Sequence, residues 1–136
     1  MLFRSYSRRI EANHLRMSGK TGTSQVRRIT VAEREQGVIS NEDLPWKQRD
    51  HALFVNYAPA NNPKVAVAVI VEHGGGGSSV AAPIGRDITL FALTGKMPDP
   101  QHYPAKLREQ IRLEQKNLAP KLIDWTSPTV MKRTKV

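Results

Sequence analysis

The sequence predicts an α+β chain in which antiparallel strands carry one packed helix. Three observations predict it. Residues 51–58, HALFVNYA, and 64–71, KVAVAVIV, are apolar, strand-favouring runs separated by a turn holding Pro59, Asn61, Asn62 and Pro63, which is the pattern of an antiparallel hairpin. Val80, Ile84, Ile88 and Phe91 are spaced by four, four and three residues, the apolar side of a helix running from Ser79 to Leu93. Residues 19–31, GKTGTSQVRRITV, are rich in Thr and Val and suit a further strand.

The elements follow in order. Residues 1–17 show no period and no cap signal, so they read as a disordered or foreign leader. Residues 32–50 are polar, with Gly37, Asn41 and Pro45, and read as a connecting loop. The strand at 64–71 puts Val65, Val67, Val69 and Val71 on one face and Ala66, Ala68 and Ile70 on the other. Both faces are apolar, so the strand is expected to be covered on both sides, the two alanines allowing a helix to approach closely. Gly74 to Gly77 with Ser78 and Ser79 read as a flexible linker. Ser79 is the expected helix cap, Pro83 is tolerated in the first turn, and Gly95 is the expected stop. Beyond it Pro98, Pro100 and Pro104 break the chain. Residues 105–118 suit a solvated helix with Leu107, Ile111 and Leu118 as its few apolar positions, and the chain from Pro120 is expected to be loosely ordered. The expected division is thus 1–17 leader, 18–95 domain, and 96–136 basic tail.

With 136 residues the chain has room for one small domain. The net charge of +9 raises nucleic acid or an anionic surface as a partner. Its distribution argues otherwise: residues 20–95 hold eight basic and seven acidic side chains, and the excess sits in the flanks. Aromatic residues do not interleave with the basic ones, so no stacking platform for single strands is evident. No nucleic-acid partner is expected. The chain has no cysteine, which excludes disulfides, thiolate metal sites and a cysteine nucleophile. No apolar run approaches the ~20 residues that span a bilayer, and the first 19 residues lack the apolar core of a signal peptide.

The segment Lys20-Thr21-Gly22-Thr23 is the distinctive chemical feature. On a strand, the lysine offers a fixed positive charge and hydrogen-bond donors. Thr21 and Thr23 alternate with Gly22, so their hydroxyls share a face and can hold a carboxylate. Gly22 lets a ligand lie close to the backbone, and the N–H after it can serve one arm of an oxyanion hole. A lone Lys-Thr-Gly triplet is a weak signal by itself. A phosphate loop ending at Gly19-Lys20-Thr21 would need glycine at position 14, where His14 stands. Gly74–Gly77 lacks the lysine a phosphate cradle needs. His14, His51, His73 and His102 show no metal-ligand spacing, and Trp46 and Trp125 read as packing residues. Neither metal nor cofactor is implied.

The surroundings give the triplet its weight. Ser18-Gly19-Lys20-Thr21-Gly22-Thr23-Ser24-Gln25, then HALFVNYAP, KVAVAVIVEHGGGG and AAPIGRDI, resemble in order the third active-site box, last strands and C-terminal helix of the penicillin-binding transpeptidase family. The similarity is greatest to its class B, monofunctional, elongation-type members, the penicillin-binding protein 2 group, and covers roughly residues 18–95. The resemblance implies the C-terminal part of a penicillin-binding/β-lactamase-like transpeptidase fold. It implies acyl transfer in cell-wall synthesis: a serine attacks a peptidoglycan stem peptide, releases D-alanine and passes the acyl group to a neighbouring strand, and β-lactams acylate the same serine. Carried over, Lys20 acts electrostatically toward the substrate carboxylate and the serine of the second box. Thr21 and Thr23 bind that carboxylate, Gly22 gives clearance, and the backbone N–H of Thr23 is an oxyanion donor. The implied location is the periplasmic face of the bacterial cytoplasmic membrane, and the implied partner is a glycosyltransferase of the elongation machinery.

One departure is large. None of the eight serines is followed by Lys at the third position or Asn at the second, so the Ser-x-x-Lys and Ser-x-Asn boxes are absent. The chain reads as a C-terminal fragment without the nucleophile, expected to be marginally stable, aggregation-prone and catalytically inactive, since small cores rarely supply more than ~3–5 kcal/mol. Two alternatives are a small basic binding module for nucleic acid or an anionic surface, and a non-catalytic domain that docks on a cell-wall partner.

Overall fold

The computed structural model describes residues 8–118. Three strands, β1 (Ser18–Ser24), β2 (His51–Ala58) and β3 (Val65–Val71), form one antiparallel sheet in the order β1-β2-β3. The helices are α1 (Val31–Gln36), α2 (Ala82–Thr94) and α3 (Arg108–Leu118). The hairpin β2–β3 lies where the apolar runs place it, and β1 is shorter than the Thr- and Val-rich stretch that suggested it. At the start of 32–50, read as a loop, α1 forms instead, because Thr30 and Glu33 make a reciprocal capping box: Thr30 Oγ1 accepts from Glu33 N–H, and Glu33 Oε2 accepts from Thr30 N–H. The Thr30 N–H, followed by Arg27, holds the Glu33 carboxyl below its usual range.

The core sits between one face of the sheet and α2. Ala52, Phe54, Asn56 and Ala58 of β2 are buried, and the register sets them beside Val71, Val69, Val67 and Val65. Two glycines permit this close approach. A Cβ on Gly85 would meet the Phe54 ring, and one on Gly77 would meet the carbonyl oxygens of Gly22 and Leu53. Asn56 Nδ2 donates to Thr89 Oγ1 at 2.7 Å, and that hydroxyl donates to the Gly85 carbonyl. Thus β2 and α2 are joined by a buried polar link as well as by packing.

The helix presents a different side to the sheet from the one its apolar spacing suggested. Ala82, Gly85, Arg86, Thr89 and Leu90 are buried, whereas Ile84, Ile88 and Phe91 (56% exposed) point away. Small residues win the contact because Phe54 and Asn56 already fill the gap. Ser79 does not cap α2: its hydroxyl donates to the Gly76 carbonyl within a π-helical turn, Gly77–Ala81, that leads into the helix. Gly95 ends α2 in the left-handed conformation, its N–H donating to the Phe91 carbonyl.

The expected covering of β3 on both sides is half met. Ala66, Ala68 and Ile70 are exposed, Ile70 by 68%, and the neighbouring Val55 and Tyr57 of β2 share that open face. α2 lies on the valine side instead of over the two alanines.

The core also reaches beyond residues 18–95. From the stretch read as a leader, Ile10 is 1% exposed and Met17 is equally enclosed. Glu11 N–H donates to the His102 carbonyl, and Ala60 N–H to the Arg16 carbonyl. This corrects the disordered reading over residues 8–17, while residues 1–7 lie outside the described residues. From the stretch read as a tail, Tyr103 and Ile111 join the same core. The buried Arg86 guanidinium lies 4.5 Å from the Tyr103 ring centroid and pairs with Asp87 at 2.9 Å. Burial and the Asp87 carboxylate push the Tyr103 phenol well above its usual range. α3 forms as expected, with Ile111 as its buried residue. The loosely ordered end expected from Pro120 lies outside the described residues.

Candidate functional site

β1 is an outer strand, paired only with β2 among the described residues. Its register sets Thr21 opposite Phe54 and Thr23 opposite Ala52, so both threonines share the helix-covered side. Lys20 stands opposite Val55, on the side where Ile70 and Tyr57 are open. The alternation expected of the two threonines is therefore realised, and the lysine occupies the other face of the same strand. Its Nζ donates to the Thr21 carbonyl at 2.5 Å, which folds the side chain along the strand.

Lys20, Thr21, Gly22 and Thr23 nevertheless line one cleft of about 480 Å³ at the strand, together with Arg8, Gly76, Gly77, Ser78 and Ser79. Among the described residues the lining holds two cations, four hydroxyl side chains and no carboxylate. A site of that composition attracts an anion and offers donors to hold it. Lys20 also borders a second, apolar hollow with Val55, Tyr57 and Ala66, so it stands where the cleft and the open face of the sheet meet.

Lys20, Thr21, Gly22 and Thr23, singled out from the sequence, line this cleft, and the opposite wall was not among the residues expected there. Gly76 to Ser79 were read as a linker, yet Gly77 packs directly on Gly22 and Leu53. A run of glycines beside a glycine-bearing strand is the signal that could have suggested it. Arg8 gave no signal, because nothing in its neighbourhood is periodic. Its Nε donates to the Ser78 carbonyl at 2.8 Å, which ties the start of the described chain to the cleft.

The histidines lie elsewhere. His51 Nδ1 accepts from His73 N–H at 2.9 Å, and the edge of the Trp46 ring system meets His73. Among the described residues no group of three or more His, Asp or Glu is placed to hold a metal ion, and no helix is long and apolar enough to cross a membrane.

Comparison with known proteins gives one family. Residues 5–90, more than half of the chain, match the penicillin binding protein transpeptidase domain. A peptidoglycan D,D-transpeptidase MrdA of Haemophilus influenzae is 37% identical over 107 residues, which is 79% of this chain and 16% of the relative. A peptidoglycan D,D-transpeptidase PbpA of Mycolicibacterium smegmatis is 52% identical over 62 residues, covering 42% of this chain and 13% of the relative. The crystal structure of Pseudomonas aeruginosa PBP2 in complex with WCK 5153 aligns at 37% identity with a TM-score of 0.41, covering 68% of this chain and 15% of that one. The chain thus spans a small part of the length of the relatives it matches.

Proposed function

Since this chain belongs to the penicillin-binding protein transpeptidase family, we propose that it supplies the carboxylate-binding third box of a peptidoglycan D,D-transpeptidase of the penicillin-binding protein 2 kind. The observation that carries this reading is the cleft that Lys20, Thr21, Gly22 and Thr23 line together with the hydroxyl-bearing Ser78 and Ser79.

The reaction is acyl transfer. A serine hydroxyl attacks the carbonyl of the penultimate D-alanine of a stem peptide, and the serine proton passes to a neighbouring base. The tetrahedral oxyanion collapses, the C–N bond breaks, and D-alanine leaves as the amine, taking a proton. An amine of a neighbouring stem peptide then attacks the ester and regenerates the serine. This chain has neither the Ser-x-x-Lys nor the Ser-x-Asn box, so the nucleophile and its base come from outside it. Its own residues bind and polarise. The hydroxyls of Thr21 and Thr23 hold the terminal carboxylate of the donor, and the Lys20 ammonium neutralises it. The backbone N–H of Thr23 donates to the developing oxyanion, where one such donor is worth about 10²–10³ in rate. Gly22 keeps the strand clear of side-chain bulk where the donor peptide lies along it. β-Lactams present the same carboxylate beside a strained amide and enter by the same contacts. The work belongs at the periplasmic face of the cytoplasmic membrane, beside a glycosyltransferase that makes the strands to be joined.

Membership of the family speaks against the reading of a basic module for nucleic acid. The test is a titration of the chain with N-acetyl-D-alanyl-D-alanine and with its C-terminal amide, followed through the backbone amides of residues 20–24. The acid is expected to shift them and the amide to leave them unmoved. Equal responses to the two would overturn the reading.

A further inference from the structure

A cavity of about 820 Å³ opens past the Ser18 end of β1, between the stretch that precedes the strand and the turn that joins β2 to β3. Asn13 and Arg16 line it from the first of these, Asn61, Asn62 and Lys64 from the second, and Tyr57 from the sheet. The two walls are tied together. Ala60 N–H donates to the Arg16 carbonyl at 2.6 Å, and Arg16 Nη2 donates to Asn13 Oδ1 at 2.8 Å. Tyr57 and Ser18 also line the apolar hollow that Lys20 borders, so the cavity continues the open side of the sheet away from the Lys20 cleft. Its size lies within the range of about 300–1,000 Å³ that small-molecule sites occupy.

The lining combines three carboxamides, an aromatic ring 39% exposed, and the Arg16 and Lys64 cations, with no carboxylate among the described residues. The Glu11 carboxyl, which the Arg9 hydrogen bond holds below its usual range with smaller help from Arg16, lies outside that lining. Each kind of group recognises a different part of a ligand. A carboxamide both donates and accepts, which suits hydroxyl and acetamido groups. An aromatic face takes the C–H side of a ring. An ammonium or guanidinium calls for an anion. A plain polyanion would leave the carboxamides and the ring unused, and a neutral sugar would leave the cations unused. We propose that this cavity is a saccharide site that takes an acidic, N-acetylated sugar. The sugar ring lies on Tyr57, its hydroxyl and acetamido groups meet Asn13, Asn61 and Asn62, and its carboxylate faces Lys64 and Arg16. Because the walls are already joined, little order has to be gained on binding. The site is separate from the Lys20 cleft and does not depend on the carboxylate-binding reading above.

The experiment is a titration of the chain with N-acetylglucosaminyl-N-acetylmuramic acid and with N,N′-diacetylchitobiose, which lacks the carboxylate. Binding is followed through the side-chain amides of Asn13, Asn61 and Asn62. Both sugars are expected to shift these signals, the acidic one binding roughly three- to fivefold more tightly at low salt and with a smaller advantage at high salt. Lys64→Gln is expected to remove most of that advantage and leave the neutral sugar unchanged, a split that a poorly folded variant would not give. Tyr57→Leu is expected to weaken both sugars alike. Inorganic tripolyphosphate serves as an anion without a sugar ring and is expected to shift the three amides little. Equal shifts by tripolyphosphate and the acidic sugar would overturn the saccharide site in favour of a plain anion site. No response to either sugar would overturn it outright. Either result leaves the reading of Lys20 to be judged by its own titration.

Discussion

On one side of the sheet Ala52, Phe54 and Asn56 lie buried against α2, while on the other Val55, Tyr57 and Ile70 stand exposed. Strand β3 is apolar on both sides all the same. The covered side closes with small residues, since Gly85 lets the helix down onto the Phe54 ring and Thr89 reaches Asn56. The open side has side chains of core type with no described residue over them. A strand's composition therefore reports the coverage its sequence suits, and the structure reports the coverage the described residues provide. The chemistry follows the same division, because the threonines of the Lys-Thr-Gly-Thr segment belong to the covered side and Lys20 to the open one.

Substitutions should separate the two faces. Phe54→Ala empties the centre of the covered side and is expected to cost about 3–5 kcal/mol. In a small domain that is enough to abolish the cooperative transition in urea. Asn56→Ala removes the hydrogen bond to Thr89 and leaves that hydroxyl with its Gly85 bond alone. A loss of about 1–3 kcal/mol is expected, read as a lower urea midpoint at unchanged slope. Ile70→Thr on the open side is expected to change stability by no more than about 0.5 kcal/mol. It should also raise the concentration at which the chain stays in solution, since an exposed apolar strand face favours association. An Ile70→Thr loss as large as that of Asn56→Ala would mean that the open face is packed in solution, and the contrast would fail.

Much of this was legible in the residues. β2 and β3 were readable because strand periodicity and the Pro- and Asn-rich turn between them agree, and Gly95 was readable as a stop because few other residues take the left-handed conformation cheaply. The four β1 residues of the cleft were readable because their chemistry is written in one short motif. The buried side of α2 was not. Spacing finds the apolar stripe, Ile84, Ile88 and Phe91, whereas the sheet selects the side that is small enough to approach Phe54. Residues 8–17 were illegible for another reason. Ile10 and Met17 are single anchors in an aperiodic stretch, and their burial depends on partners far along the chain. The Gly76–Ser79 wall likewise meets β1 only once the chain is folded.

We propose that Lys20 serves in the third box of a penicillin-reactive site. This role is tested most directly in a chimera of the Haemophilus influenzae relative, its matching 107-residue region replaced by that of this chain and probed with a fluorescent penicillin. Covalent labelling of the chimera is expected, with loss of most of that labelling in Lys20→Ala at unchanged thermal stability, and no labelling of this chain alone. A folded chimera labelled equally well with and without Lys20 would contradict it.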